Sequence, residues 1–227
     1  TKSAMSSDKS LEIILENLDM CEINEEPKLN SRNGDFEAVL QLLSKDTMKN
    51  ALTYLNRRRE NIDNLASMLW NAPGAITVVI QQIITMYKWL EVSETDSFDK
   101  DELMNCFNCL SLLQSVSGCK ITRQNLVQAN LIKFVEPILS CKSDNQNLKC
   151  LILVSLGILI SLLKDQEQSI VDYILSCQIL QPLLFILKSK EQVNKTLSIY
   201  ILHSLISNTS TISFLNNHIE LGLEAKD

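Results

Sequence analysis

Leu148-Lys-Cys-Leu-Ile-Leu-Val-Ser-Leu-Gly-Ile-Leu-Ile-Ser-Leu-Leu163 decides the fold: it is a long apolar run dominated by γ-branched leucine, with one charge, Lys149, and no proline. Runs of this kind point to helices packed on helices. Its counterparts are 103–116 and 193–206, at an interval near 45 residues. The same interval separates two prolines, Pro137 in Phe134-Val-Glu-Pro-Ile-Leu139 and Pro182 in Ile179-Leu-Gln-Pro-Leu-Leu184. Each opens a short apolar helix. A period near 45 with two or three helices per unit is the armadillo/HEAT pattern. Such units cannot bury their apolar faces alone, so they stack into a curved rod with a groove. The expected fold is an all-α, right-handed armadillo/HEAT-type solenoid of about four repeats over residues 36–219.

Composition agrees. Gly and Pro together number nine among 227 residues, too few for the turns of an all-β sandwich or barrel, while Leu and Ile number 60. The net charge of −6 leaves no global basic field for nucleic acid or an anionic membrane. Seven cysteines, an odd number, lie mostly within apolar runs and read as buried free thiols of a reducing compartment. The longest nearly apolar stretch, Leu151 to Leu163, is short of the ~20 residues that span a bilayer. The start carries no signal-peptide segment. These features predict a soluble, cytoplasmic protein, with the nucleus as a second location and no membrane partner.

Residues 1–35 read as an acidic, partly flexible leader, with Pro27 and Gly34 as breakers, and 36–227 as the repeat domain. Helical stripes follow through Leu40, Leu52, Leu55 and Leu69 to a break at Asn71-Ala72-Pro73-Gly74. Proline and glycine there suit the opening of the next helix, which carries Val79, Ile80, Ile83 and Ile84. Residues 91–101 form an acidic loop, and helical patterns then continue to Leu215. The chain stops without a polar capping repeat, so further C-terminal repeats are expected to be missing or the end covered. Ile212, Phe214, Leu215, Ile219, Leu221 and Leu223 make an apolar face there, suited to a homodimer through the C-terminal end.

Chemistry is scarce. The two histidines, His203 and His218, have no spacing that pairs them with a nucleophile. Cys106 and Cys109 form a single CxxC on an apolar helix, without the second knuckle of a zinc site. Asp96, Asp99 and Asp101 alternate like a calcium loop but lack its glycine and closing glutamate. No phosphate-binding glycine motif occurs. Arg57-Arg58-Arg59 is the one basic run, and it reads as a helix C-terminus favoured by the dipole. The long helices carry only Lys149 and Lys195 near their starts, not the basic stripe that phosphate tracking needs. No enzyme activity, metal or cofactor is expected, and nucleic acid is not the expected ligand. What remains is a surface for peptides and helices.

Four blocks resemble the armadillo-repeat "required for cell differentiation" family, the non-catalytic armadillo subunit of the Ccr–Not deadenylase complex. They are Leu52-x-x-Leu55-Asn-Arg-Arg-Arg-Glu60-x-x-x-x-Leu65-Ala-x-x-Leu69-Trp70, Leu110-Ser-Leu-Leu-Gln114 with Thr122-Arg123, Ser155-Leu-Gly-Ile-Leu159 with Lys164-Asp-Gln-Glu-Gln168, and Asn194-Lys195-Thr196 with Ile201-Leu202. They occur in order between about residues 45 and 215.

The resemblance implies a scaffold of mRNA decay. Such a rod binds a helical region of the large Not scaffold subunit and docks short peptide motifs of RNA-binding proteins. Carried over by position, the peptide groove would involve Trp70, Asn71, Pro73, Thr77, Ile84, Cys150, Val154 and Leu197. The pattern departs from the family at Asn71 and Pro73, where a histidine and an aromatic are usual. It departs again near Ile219 and Leu221, where the family's tryptophan-accepting pockets use a tyrosine and an arginine. The alternatives are an armadillo peptide-binding adaptor of another pathway, or a weak RNA-binding protein.

Overall fold

The computed structural model describes residues 31–90, 99–143 and 145–207. Every regular element among them is helical: α1 (Ser31–Gln41), α2 (Lys45–Arg58), α3 (Leu65–Asn71), α4 (Ala75–Thr85), α5 (Lys100–Gly118), α6 (Lys120–Gln128), α7 (Glu136–Leu139), α8 (Gln146–Leu163), α9 (Gln168–Ser176), α10 (Leu180–Ile186) and α11 (Gln192–Ile206). Short 3-10 turns at Met86–Trp89 and Leu131–Phe134 complete them. The all-α expectation holds.

The period is visible as stacking. The long helices α5, α8 and α11 begin at residues 100, 146 and 192, 46 residues apart each time. They pack one on the next, with α2 before them, in a central column α2–α5–α8–α11. A second column is α3–α6–α9. In the third, α4 meets the Leu131–Phe134 turn and α7 meets α10. Like elements of successive units therefore stack on each other, as in an α-solenoid.

Because the central column has neighbours on several sides, α5 and α8 are buried almost all round. Twelve residues of each helix are buried, Leu110, Leu113, Leu156 and Leu159 completely. By length and composition α8 could cross a bilayer, and at 18 residues it is longer than the apolar run read from the sequence. Its burial between α5 and α11 makes it a core helix. Asn108 is also buried in the column and accepts a hydrogen bond from Asn56 Nδ2 of α2 at 2.8 Å.

Local signals set the ends. Asp99 caps α5 by accepting from the N–H groups of Asp101 and Glu102, and Asn145 caps α8 through the N–H of Asn147. Residues 131–139 are not one helix but a 3-10 turn followed by α7. Pro137, near the start of α7, brings no N–H with which to continue an incoming helix. Gly34, read as a breaker, lies inside α1 and is buried. The last residues of the acidic leader are thus helical, and Asp35 accepts from Tyr54 Oη at 2.8 Å and pairs with Arg58 at 3.2 Å. Lys45 and Asp46 open the first turn of α2.

Candidate functional site

The first half of the expected groove is built at the corner between α3 and α4. Ala72 is extended, as suits a residue before proline, and ends α3. Gly74 follows at φ +86°, a left-handed conformation that a side chain would strain; an added Cβ would also stand 3.2 Å from Leu43. This turn leaves Trp70 half-buried against the core and Asn71 and Pro73 exposed. On α4, Thr77, Gln81 and Ile84 share one exposed face, while Val79, Ile80 and Ile83 are buried on the other side.

The second half lies on α8 and α11. Cys150 and Val154 are buried, with 8% and 2% of their surface accessible, and Leu197 is half-buried. Burial, then the nearby charge of Glu191, pushes the Cys150 thiol up. These residues are not next to the first half: α4 packs on α5, α5 on α8 and α8 on α11. The eight expected residues therefore form two groups with α5 between them.

Helix α5 supplies what the sequence reading left out. Met104, Gln114 and Ser115 are its partly accessible residues beyond the first turn, and the Gln114 amide covers Gly157 of α8 so closely that a Cβ there would meet Nε2 at 2.9 Å. The 46-residue register places Met104 level with Cys150 and Ser115 level with Ser161. That register was the available signal, since α5 has no basic residue after Lys100 to draw attention. Small residues such as Gly157, Ser115 and Ser161 keep this surface shallow, and Ile84 gives it an apolar edge.

The groups considered for catalysis lie apart from one another, and most are engaged elsewhere. His203 is exposed on α11. Cys106 and Cys109 are fully buried, and burial raises both thiols far above their ordinary range. Asp99 caps α5, and Asp101 pairs with Lys49 at 2.6 Å. Of the arginine run, Arg58 pairs with Asp35, and Arg59 lies near Asn56 and Glu60. Among the described residues no group of three His, Cys, Asp or Glu side chains could hold a metal ion. The surface offers apolar area and hydrogen-bonding groups, an arrangement suited to binding. Asp96, His218, the C-terminal apolar face and the positions near Ile219 and Leu221 lie outside the described residues.

The model of the family described as "Cell differentiation family, Rcd1-like" matches residues 38–221. The chain is 28% identical over 180 residues to the cell differentiation protein rcd1 of Schizosaccharomyces pombe, covering 79% of this chain and 62% of that protein. It is 29% identical over 171 residues to Protein CAF40 of Saccharomyces cerevisiae, covering 75% and 45%. The chain thus spans roughly half the length of these two relatives.

Proposed function

The chain belongs to the Rcd1-like cell differentiation family, and from that premise we propose that it is a non-enzymatic adaptor of the Ccr–Not mRNA deadenylation complex. In this reading it binds a helical region of the large Not scaffold subunit and presents its exposed face to short peptide motifs of RNA-binding proteins. It acts in the cytoplasm. The observation that carries the reading is the match of the family model over nearly all of the stacked helices, residues 38–221. The exposed face of α4 and the partly accessible strips of α5 and α8 support it, because an amphipathic peptide helix could lay its apolar side along Ile84 and toward Leu197.

The test is co-elution by size-exclusion chromatography with the helical region of the same organism's large Not subunit. Two variants accompany it. Leu197→Glu alters the α11 side but touches the core, so Ile84→Glu, at a residue 39% exposed, serves as the variant that leaves packing intact. A stable stoichiometric complex, unchanged in Ile84→Glu, is the expected result. No complex with a folded helical protein would point to an adaptor of another pathway. RNA affinity falling steeply with salt would point to RNA binding instead.

A further inference from the structure

Four lysines distant in sequence meet at one cavity of about 220 Å³. Lys142 comes from the connection between α7 and α8, Lys149 from the first turn of α8, and Lys188 and Lys190 from the connection between α10 and α11. Lys142 and Lys188 stand 46 residues apart, so the two connections occupy equivalent places in successive units. Stacking brings both to the same cavity. None of the eight expected groove residues lines this cavity.

Among the described residues the charge is not balanced locally. Glu191 lies 3.3 Å from Lys149 Nζ and offsets that one cation. Lys142 Nζ lies over the Phe185 ring, 5.6 Å from its centre. Among the described residues no carboxylate is within 4.0 Å of Lys142, Lys188 or Lys190; Asp144 lies outside them. Three cations thus concentrate at one point of a chain whose net charge is −6. Ser189 also lines the cavity, and its hydroxyl oxygen is buried without a hydrogen-bond partner among the described residues. One wall is apolar: Ile152 and Ile186 are buried, and Phe185 is 40% exposed.

We infer that this cavity binds a phosphorylated serine or threonine of a peptide, with an apolar residue beside it seated on Phe185. A phosphate monoester carries nearly two charges and three acceptor oxygens, which suits several ammonium groups and a hydroxyl better than one carboxylate does. A phosphodiester chain fits less well. It needs cations spaced along a track, and α8 has no basic residue from Cys150 to Leu163. The inference is independent of the proposed complex, since the cavity and its charges are the chain's own.

The test is fluorescence anisotropy on the full chain with an equimolar pool of labelled pentapeptides. Each has phosphoserine at its centre, followed by Leu, Ile, Val or Phe. The unphosphorylated pool, inorganic phosphate as competitor and a ten-nucleotide uridine RNA are run beside it. Lys188→Glu and Lys190→Glu change exposed side chains and leave packing intact. Each should weaken the phosphopeptide by about tenfold or more, the worth of a charge-assisted contact. Lys120→Glu, at the exposed start of α6, should change nothing, and Phe185→Ala should weaken binding by a few-fold. Equal binding of the unphosphorylated pool, no binding of the phosphorylated pool, or indifference to both charge reversals would overturn the inference. So would tighter binding of the RNA, or inorganic phosphate competing as strongly as the peptides themselves.

Discussion

Arg123 Nη1 stands 2.7 Å from Asp165 Oδ2, an ion pair that ties α6 of one unit to the connection between α8 and α9 of the next. The arginine is 1% exposed, and its Nε and Nη2 donate to the carbonyls of Ser117 and Gly118 at 3.0 and 3.1 Å. It therefore satisfies the C-terminal carbonyls of α5, which have no partner inside the helix. Glu167 lies a little farther off, at 4.0 Å.

Removing that side chain strands two carbonyls, while the half-exposed Asp165 turns to water. Arg123→Ala should cost about 2–4 kcal/mol of stability, chiefly the penalty for two unsatisfied carbonyls and the lost packing. Asp165→Asn should cost about 1 kcal/mol, because Asp165 is 45% exposed and can be solvated. Lysine should not restore Arg123→Ala, since one ammonium cannot reach both carbonyls and the carboxylate. Urea unfolding of the three variants checks this.

Cysteine reactivity should separate by position. Cys119 sits at the junction of α5 and α6; burial pushes its thiol up, but hydrogen bonds from Thr122 and Ile121 and the charge of Arg123 outweigh that and lower it. More thiolate is then present at neutral pH. Among the six described cysteines Cys119 should be alkylated first, with a rate that rises with pH and levels off below the range of a free thiol. Cys106 and Cys109 should react only in denaturant. Peptide mapping after timed iodoacetamide treatment reads both.

Acid should weaken the contact between α5 and the turn after α4. Glu102 accepts from Lys88 Nζ at 2.8 Å and from Trp89 Nε1 at 2.9 Å, and these bonds hold its carboxyl below the usual range against a small effect of burial. A lowered carboxyl stabilises the fold above its unfolded value, near 4.3, and that contribution fades as pH falls through the folded value. Glu102→Gln should cost under about 1 kcal/mol at pH 7, given the exposure of Lys88, and nothing at low pH. Unfolding curves at several pH values, read through tryptophan fluorescence, show whether the difference closes.

Gly157 tests the face between α5 and α8. Alanine there meets only the flexible end of Gln114, which can swing aside, and gains about 0.5–1 kcal/mol of helix propensity. Gly157→Ala should leave the melting temperature within a few degrees of the parent. Gly157→Glu should keep the fold, yet reduce binding of groove peptides by about tenfold or more if they cross this surface. Calorimetry and peptide titration separate the two effects.

Much of the architecture could be read from spacing alone. Pro137 and Pro182, with the apolar runs around Leu110, Leu156 and Ile201, marked the repeat, and the same residues sit in successive stacked units. The corner at Asn71–Gly74 was equally plain, because proline fixes its own φ and glycine admits the left-handed turn that follows. Features that depend on neighbours in space were not legible. Nothing near Lys142 announces Lys188, and nothing in α5 shows that Gln114 covers Gly157. The separation of Thr77 and Ile84 from Val154 likewise depends on the third helix standing between them.

The columns also govern how the molecule comes apart. Each described unit leans only on the unit before and the unit after, so loosening at one place is felt mainly next door. Among the described residues the α5–α8 junction has support on both sides, whereas α1 and α2 have it on one. Backbone amides of Leu110, Leu113, Leu156 and Leu159 should exchange with deuterium slowest, and those of α1 and α2 several orders of magnitude sooner. Strain from a partner pulling on one unit would be absorbed close to where it is applied.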